Sequence, residues 1–106
     1  MIKVITDENF EQEVLKSEIP VIVDFYADWC VPCKMMAPVL DMVDKERGGK
    51  VKIVKINVDE NPDTRSKNRV MSIPTLLFIN KGEVKARVEG AVTKSVVDQK
   101  LEKAIG

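Results

Sequence analysis

The run Pro20-Val21-Ile22-Val23-Asp24-Phe25-Tyr26 is almost unbroken in β-branched and aromatic residues. It reads as a central strand buried on both faces, the position such runs take in sheets covered above and below. The neighbouring segments fit that frame. Ile2 to Ile5 is a short β-rich run, after which Thr6 or Asp7 offers an N-cap for a helical segment with Phe10, Val14 and Leu15 on one face. Met36, Val39, Leu40 and Val43 recur at helical spacing until Gly48-Gly49 ends the pattern. Pro38 lacks a backbone donor and is expected to kink that helix. Val51 to Val58 is the next strand, and Asn61-Pro62 reads as a cap and first-turn proline opening a short helix. Thr75 to Ile79 and Glu83 to Val88 are strands joined by Asn80-Lys81-Gly82, which has hairpin chemistry. Thr93 then caps a closing helix carrying Val97, Leu101 and Ile105. The order βαβαβαββα predicts an α/β sandwich whose sheet starts mostly parallel and ends in an antiparallel hairpin.

With 106 residues, 44% apolar and 32% charged, the chain has the size and core material of one domain spanning 1–106. Lysine plus arginine and aspartate plus glutamate number 17 each. No charge excess exists to drive general binding to nucleic acid or anionic lipid, so the expected partners are proteins or small molecules. The N-terminus reaches Asp7 and Glu8 too early to hold the apolar stretch of a signal peptide, although a processed chain would read the same. Apolar runs such as Leu76-Leu77-Phe78-Ile79 fall far short of the roughly 20 residues that cross a bilayer. The expectation is a soluble cytoplasmic protein without membrane contact.

Cys30 and Cys33 are the only cysteines, and there is no histidine. A structural zinc site needs four thiolate or imidazole ligands, and iron–sulfur clusters fail on the same count unless two chains share one site. No metal is expected. As a structural crosslink, a loop of about four residues gives only roughly 2 kcal/mol in chain-entropy models, against nearly 5 for a loop of about 100. Redox chemistry wants this spacing, because two sulfurs on the first turn of a helix can form or break a bond with little movement. The helix N-terminus places free N–H groups and a positive dipole end beside Cys30, favouring its thiolate. Cys30 is therefore the expected nucleophile. Cys33, further into the helix and expected to be more buried, is the expected resolving thiol.

Asp24-Phe25-Tyr26-Ala27-Asp28-Trp29-Cys30-Val31-Pro32-Cys33-Lys34, followed by Ala37-Pro38, resembles the active-site block of the thioredoxin family. Ile73-Pro74-Thr75 and Gly90-Ala91 resemble the rest of that site, and nearly the whole chain matches in element order. The resemblance implies a five-strand sheet flanked by four helices, a protein-disulfide reductase needing no cofactor, electrons from a thioredoxin reductase, and a monomer. It also implies that Asp24 is a buried proton acceptor for Cys33. An aspartate inside an apolar strand is costly to ionise, so its pKa should rise toward the range of a general base; a fully paired structural carboxylate is the competing reading. Lys55 resembles the lysine that approaches this aspartate, and reads equally well as an edge-facing charge. Pro74 resembles a cis-proline facing the cysteines and positioning Ile73 to pair with an extended substrate. Trp29, Val58, Ile73, Gly90 and Ala91 would form the apolar contact surface, with core packing the alternative, most of all for Val58. Phe25, Met36 and Leu40 are expected in the core.

Three departures from the family pattern, at four positions, stand out. Val31 and Glu89 stand where glycine and a more apolar residue are usual, and Asn68-Arg69 where an aromatic and a small residue are usual. A redox-insensitive binding module using the same groove would keep full partner affinity after Cys30→Ser, and an oxidase or isomerase would show a strongly oxidising potential. With Pro32, Val31 is the expected redox-tuning element, because a β-branched residue restricts the backbone between the sulfurs and adds apolar surface beside Cys30. Equilibration with glutathione should show native protein and Val31→Gly differing by at least about 30 mV, or about 1.4 kcal/mol for a two-electron couple; equal potentials would refute this.

Overall fold

The computed structural model describes residues 2–106. Five strands form one mixed sheet in the order β1-β3-β2-β4-β5, with β1 at Lys3–Ile5, β2 at Val21–Tyr26, β3 at Lys52–Asn57, β4 at Thr75–Asn80 and β5 at Glu83–Glu89. The β1–β3 and β3–β2 pairs are parallel; the β2–β4 and β4–β5 pairs are antiparallel. The long apolar run thus occupies the middle of the sheet, and Val21 to Phe25 are buried without a break.

Two apolar layers lie on opposite faces of β2. Val21, Val23 and Phe25 join Phe10, Val14, Val58, Val70 and Leu77 on one side. Ile22 joins Met36, Leu40, Val43, Phe78, Val97 and Leu101 on the other, under helices α1 (Val31–Arg47) and α3 (Lys94–Ile105). Phe25, Met36 and Leu40 are all buried, as expected of core residues.

The helices are close to the sequence reading, with three differences. The first helical segment is a π-helical turn, Glu11–Leu15, closed by an i→i+5 bond from Lys16 N to the Glu11 carbonyl at 3.0 Å. This wider turn buries Phe10 and Val14 and leaves Leu15 40% exposed. Secondly, Asp7 does not cap its own segment: its carboxylate accepts from Thr64 N at 2.9 Å and Asp63 N at 3.3 Å, capping α2 (Pro62–Lys67) across space. Asn61, expected as that cap, makes no side-chain cap bond. It accepts from Asp7 N at 2.8 Å and donates to the Asn57 carbonyl at 2.9 Å, tying the two segments together. Thirdly, α3 turns Val97, Leu101 and Ala104 inward, leaving Ile105 43% exposed.

The Thr93 hydroxyl caps α3 by accepting from Val96 N. α1 runs through Pro38, which cannot donate to the Lys34 carbonyl. At the β4–β5 hairpin the strands pair out to Asn80 and Glu83, so the loop is only Lys81-Gly82. Both have positive φ, 52° and 79°, the geometry of a type I′ turn.

The burial of α3 generates a contrast. Leu101→Ala should cost about 2–5 kcal/mol in urea unfolding, as a buried leucine leaving a cavity. Ile105→Ala, one turn along the same stripe, should stay within about 0.5 kcal/mol. Equal losses would mean that the helix is seated differently.

Candidate active site

Strand β2 and helix α1 meet at the cysteines. The chain leaves β2 at Tyr26, turns through Ala27 to Trp29, and enters α1 with Cys30 at its N-cap, Val31 and Pro32 in its first turn, and Cys33 one turn in. Proline fits there because a first-turn N–H has no helical acceptor. Cys30 and Cys33 are joined by a disulfide, with Cα atoms 5.3 Å apart. The Cys30 sulfur also accepts from Cys33 N at 3.2 Å. A thiolate on Cys30 would therefore meet a backbone donor already aimed at it, at the positive end of the helix.

The expected contrast in burial between the sulfurs is absent. Cys30 is 4% and Cys33 6% exposed, since both residues pack into the core layer that contains Phe25 and Val58. What separates them is the space each faces. Cys30 lines an outer groove of about 490 Å³ with Trp29, Val31, Pro32, Met71 and Ile73. Cys33 lines an inner cleft of about 200 Å³ with Asp24, Tyr26, Ala37 and Lys55. The disulfide lies between two hollows of different lining, one largely apolar and one containing carboxylates.

Asp24 is 4% exposed and its Oδ1 has no hydrogen-bond partner. It is not the fully paired structural carboxylate of the competing reading. Burial without a donor favours the protonated form and raises its pKa from 3.8 to about 7, with the Lys55 charge acting in the opposite direction. Lys55 lies directly across the β2–β3 ladder from Asp24. Its ammonium sits over the Tyr26 ring, 4.4 Å from the centroid, a cation–π position on the same cleft.

Of the expected contact surface, Trp29 and Ile73 line the outer groove, and Pro74, Gly90 and Ala91 do not. Trp29 is 68% exposed and donates from Nε1 to Asp59 Oδ2 at 2.8 Å, which orients the indole. Val31 is 65% exposed on the helix start. The Ile73–Pro74 peptide is cis, and Ile73 packs against the cluster that holds both cysteines. Gly90 donates from its N to the Pro74 carbonyl at 2.8 Å with φ at 91°, a conformation that favours glycine. Ala91 follows it on the surface. Val58 is the exception: at 2% exposure it belongs to the core and offers no contact surface.

Sequence reasoning missed Met71, which is 86% exposed, and Arg65, both on the groove wall. A large apolar residue two positions before Ile73-Pro74, in a segment with no helical or strand period, was the available signal for Met71. Nothing local marked Arg65, which is one of several charges on α2.

The model of the thioredoxin family matches residues 1–103. Among similar proteins, Thioredoxin 1 of Nostoc sp. is 50% identical over 99 residues, covering 93% of this chain and 92% of the relative. Thioredoxin of Pseudomonas aeruginosa is 53% identical over 91 residues, covering 86% and 84%. The chloroplastic M-type thioredoxin of Pisum sativum is 47% identical over 104 residues, covering 98% of this chain and 60% of that longer one. Similarity of this depth, reaching across all five strands and meeting in the Cys30–Cys33 pair, shows that the chain belongs to the thioredoxin family and is a thiol–disulfide oxidoreductase.

Proposed function

We propose that the chain is a general reductant of protein disulfides, acting as one domain over 1–106, in which Cys30 attacks, Cys33 resolves and Asp24 moves the proton. The observation that carries the division of labour is the facing of the two sulfurs: Cys30 toward the outer groove, Cys33 toward the cleft of Asp24. The Cys30 thiolate attacks one sulfur of the substrate disulfide, forming a mixed disulfide and releasing the other substrate sulfur as a thiolate. The Cys33 thiol gives its proton toward the Asp24 carboxylate and attacks Cys30. The Cys30–Cys33 disulfide forms and the second substrate sulfur leaves reduced.

An acid with a pKa near 7 is matched to this transfer, because it accepts and returns a proton at neutral pH with little driving force lost either way. The inner cleft is several times the roughly 30 Å³ share of one water, so a water has room to relay the proton. Lys55, by lowering the Asp24 pKa against the effect of burial, keeps part of the population ionised. Trp29, Ile73, Pro74, Gly90 and Ala91 receive an extended substrate loop, with the Ile73 backbone pairing to it. Two electrons return to the disulfide from a thioredoxin reductase. No helix among the described residues is long and apolar enough to cross a membrane; a cytoplasmic site of action, a monomeric state and a role in cell redox balance are part of this proposal.

Reduction of insulin by the native protein, regenerated with excess dithiothreitol, tests the reading. Native protein should accelerate it well above dithiothreitol alone and Cys30→Ser should not; an inactive native protein would overturn the reading. Asp24 gives a second test, in stability. Between about pH 4 and pH 7 the folded oxidised chain holds a proton that the unfolded chain has released, so folding stability falls as pH rises through this window. Asp24→Asn carries no such charge. Its stability relative to the native protein should therefore grow from pH 4 to pH 8, with a ceiling on the order of 4 kcal/mol, while insulin reduction slows at the resolving step. A pH-independent difference between the two proteins would show that Asp24 titrates normally.

A further inference from the structure

We infer that Arg87 is a positioning residue for the substrate groove, holding the wall that contains Met71, Ser72 and Ile73; the inference rests on the disulfide-reductase reading above. Arg87 lies on β5, outside the groove, and opposes Leu77 on the sheet. Its guanidinium makes three bonds at once. Nη1 donates to the Asn68 carbonyl at 2.7 Å, Nη2 to the Arg69 carbonyl at 2.6 Å, and Nε to Glu89 Oε2 at 3.1 Å. The next carbonyl, that of Val70, accepts from Arg65 Nε at 3.1 Å. Three successive carbonyls of the loop between α2 and β4 are thus held by two arginines.

The loop needs such holding. Arg69 has φ at 52°, in the left-handed region that non-glycine residues enter at a cost. Its carbonyl and that of Asn68 lie outside any strand pairing, so they depend on a donor brought from elsewhere. A planar guanidinium suits two adjacent carbonyls because its fork is rigid, and the Glu89 carboxylate at Nε fixes the plane of that fork. The far end of the wall is anchored just past the end of that strand, where Gly90 N donates to the Pro74 carbonyl at 2.8 Å. Between the two anchors stand Met71, Ser72 and Ile73, the residues that line the groove opposite Trp29 and Cys30. Ser72 is fixed in addition by Thr75 Oγ1, which donates to its carbonyl at 2.7 Å.

Asn68-Arg69 and Glu89 are two of the three departures from the family pattern, far apart in sequence. They meet at one guanidinium. Arg87 therefore links them into a single device that sets the position of the groove wall, and its effect should fall on large substrates that use the wall, while a small disulfide needs only the Cys30 sulfur.

The test compares rates for insulin with rates for oxidised glutathione, using native protein, Arg87→Ala and Arg87→Lys under the same regenerating conditions. Arg87→Ala should slow insulin reduction at least five-fold while changing the glutathione rate less than two-fold. Arg87→Lys, which keeps the charge but not the planar fork, should fall between, and serves as the test variant on the same criterion if the alanine variant does not fold. An unchanged ratio of the two rates, whether both persist or both fall together, would overturn the role of Arg87. A native protein that reduces neither substrate would overturn the reductase reading itself, and the inference with it.

Discussion

The placement of β2 between two apolar layers is the constraint on which the rest of the molecule depends. A strand buried on both faces must sit inside the sheet, with β3 on one side and β4 on the other. Helices must then cover it, and α1 begins only a few residues after β2 ends. The strand therefore delivers the chain to a helix N-terminus at one edge of the sheet, where Cys30 is the cap. Both the position of the sulfurs and the helix field acting on them follow from where one apolar run is hidden.

Seen from that edge, the disulfide is a wall between two compartments. The outer side is apolar and open, with Trp29, Val31 and Met71 exposed around Cys30. The other side is smaller and more polar, with Asp24, Asp28, Lys34, Lys55 and Tyr26 around Cys33. Equal burial of the two cysteines does not make them equivalent, because Cys30 lines one hollow and Cys33 the other. The two residues thus differ in their surroundings rather than in their overall accessibility.

Much of this frame was legible in the chain because its signals are local. The strand runs, the Gly48-Gly49 stop, the Thr93 cap and the short hairpin each depend on residues within a few positions of one another. Other features were misread. Asp7 looked like a cap for the segment that follows it, and instead caps α2, more than fifty residues away. Ile105 continued the stripe of Val97 and Leu101, but Ala104 turns inward in its place. In the site, the cysteine spacing and the buried aspartate had a physical reading from sequence. The cis state of Ile73–Pro74 came only from resemblance, and the bonds of Arg87 had no signal at all, since a guanidinium eighteen residues from its acceptor leaves no periodic trace.

Asp24 is where the local rule and the fold disagree. An aspartate in a strand otherwise made of valine, isoleucine and phenylalanine breaks the apolar pattern, and its Oδ1 is left without a donor. Such conflicts are expected where chemistry requires them. The cost is moderated by protonation, since a neutral carboxyl is far cheaper to bury than a charged one. How far that goes is set by Lys55, and the position of Lys55 depends in turn on the Tyr26 ring beneath its ammonium. Drawing the lysine over the ring keeps its charge within reach of Asp24, so the carboxyl feels an opposing field while Oδ1 still lacks a hydrogen bond. A direct ion pair would favour the ionised carboxylate, and removing the lysine would leave the effect of burial unopposed. An intermediate pKa thus depends on a cation that is near and not bonded, and the aromatic residue two positions beyond Asp24 on β2 provides that placement.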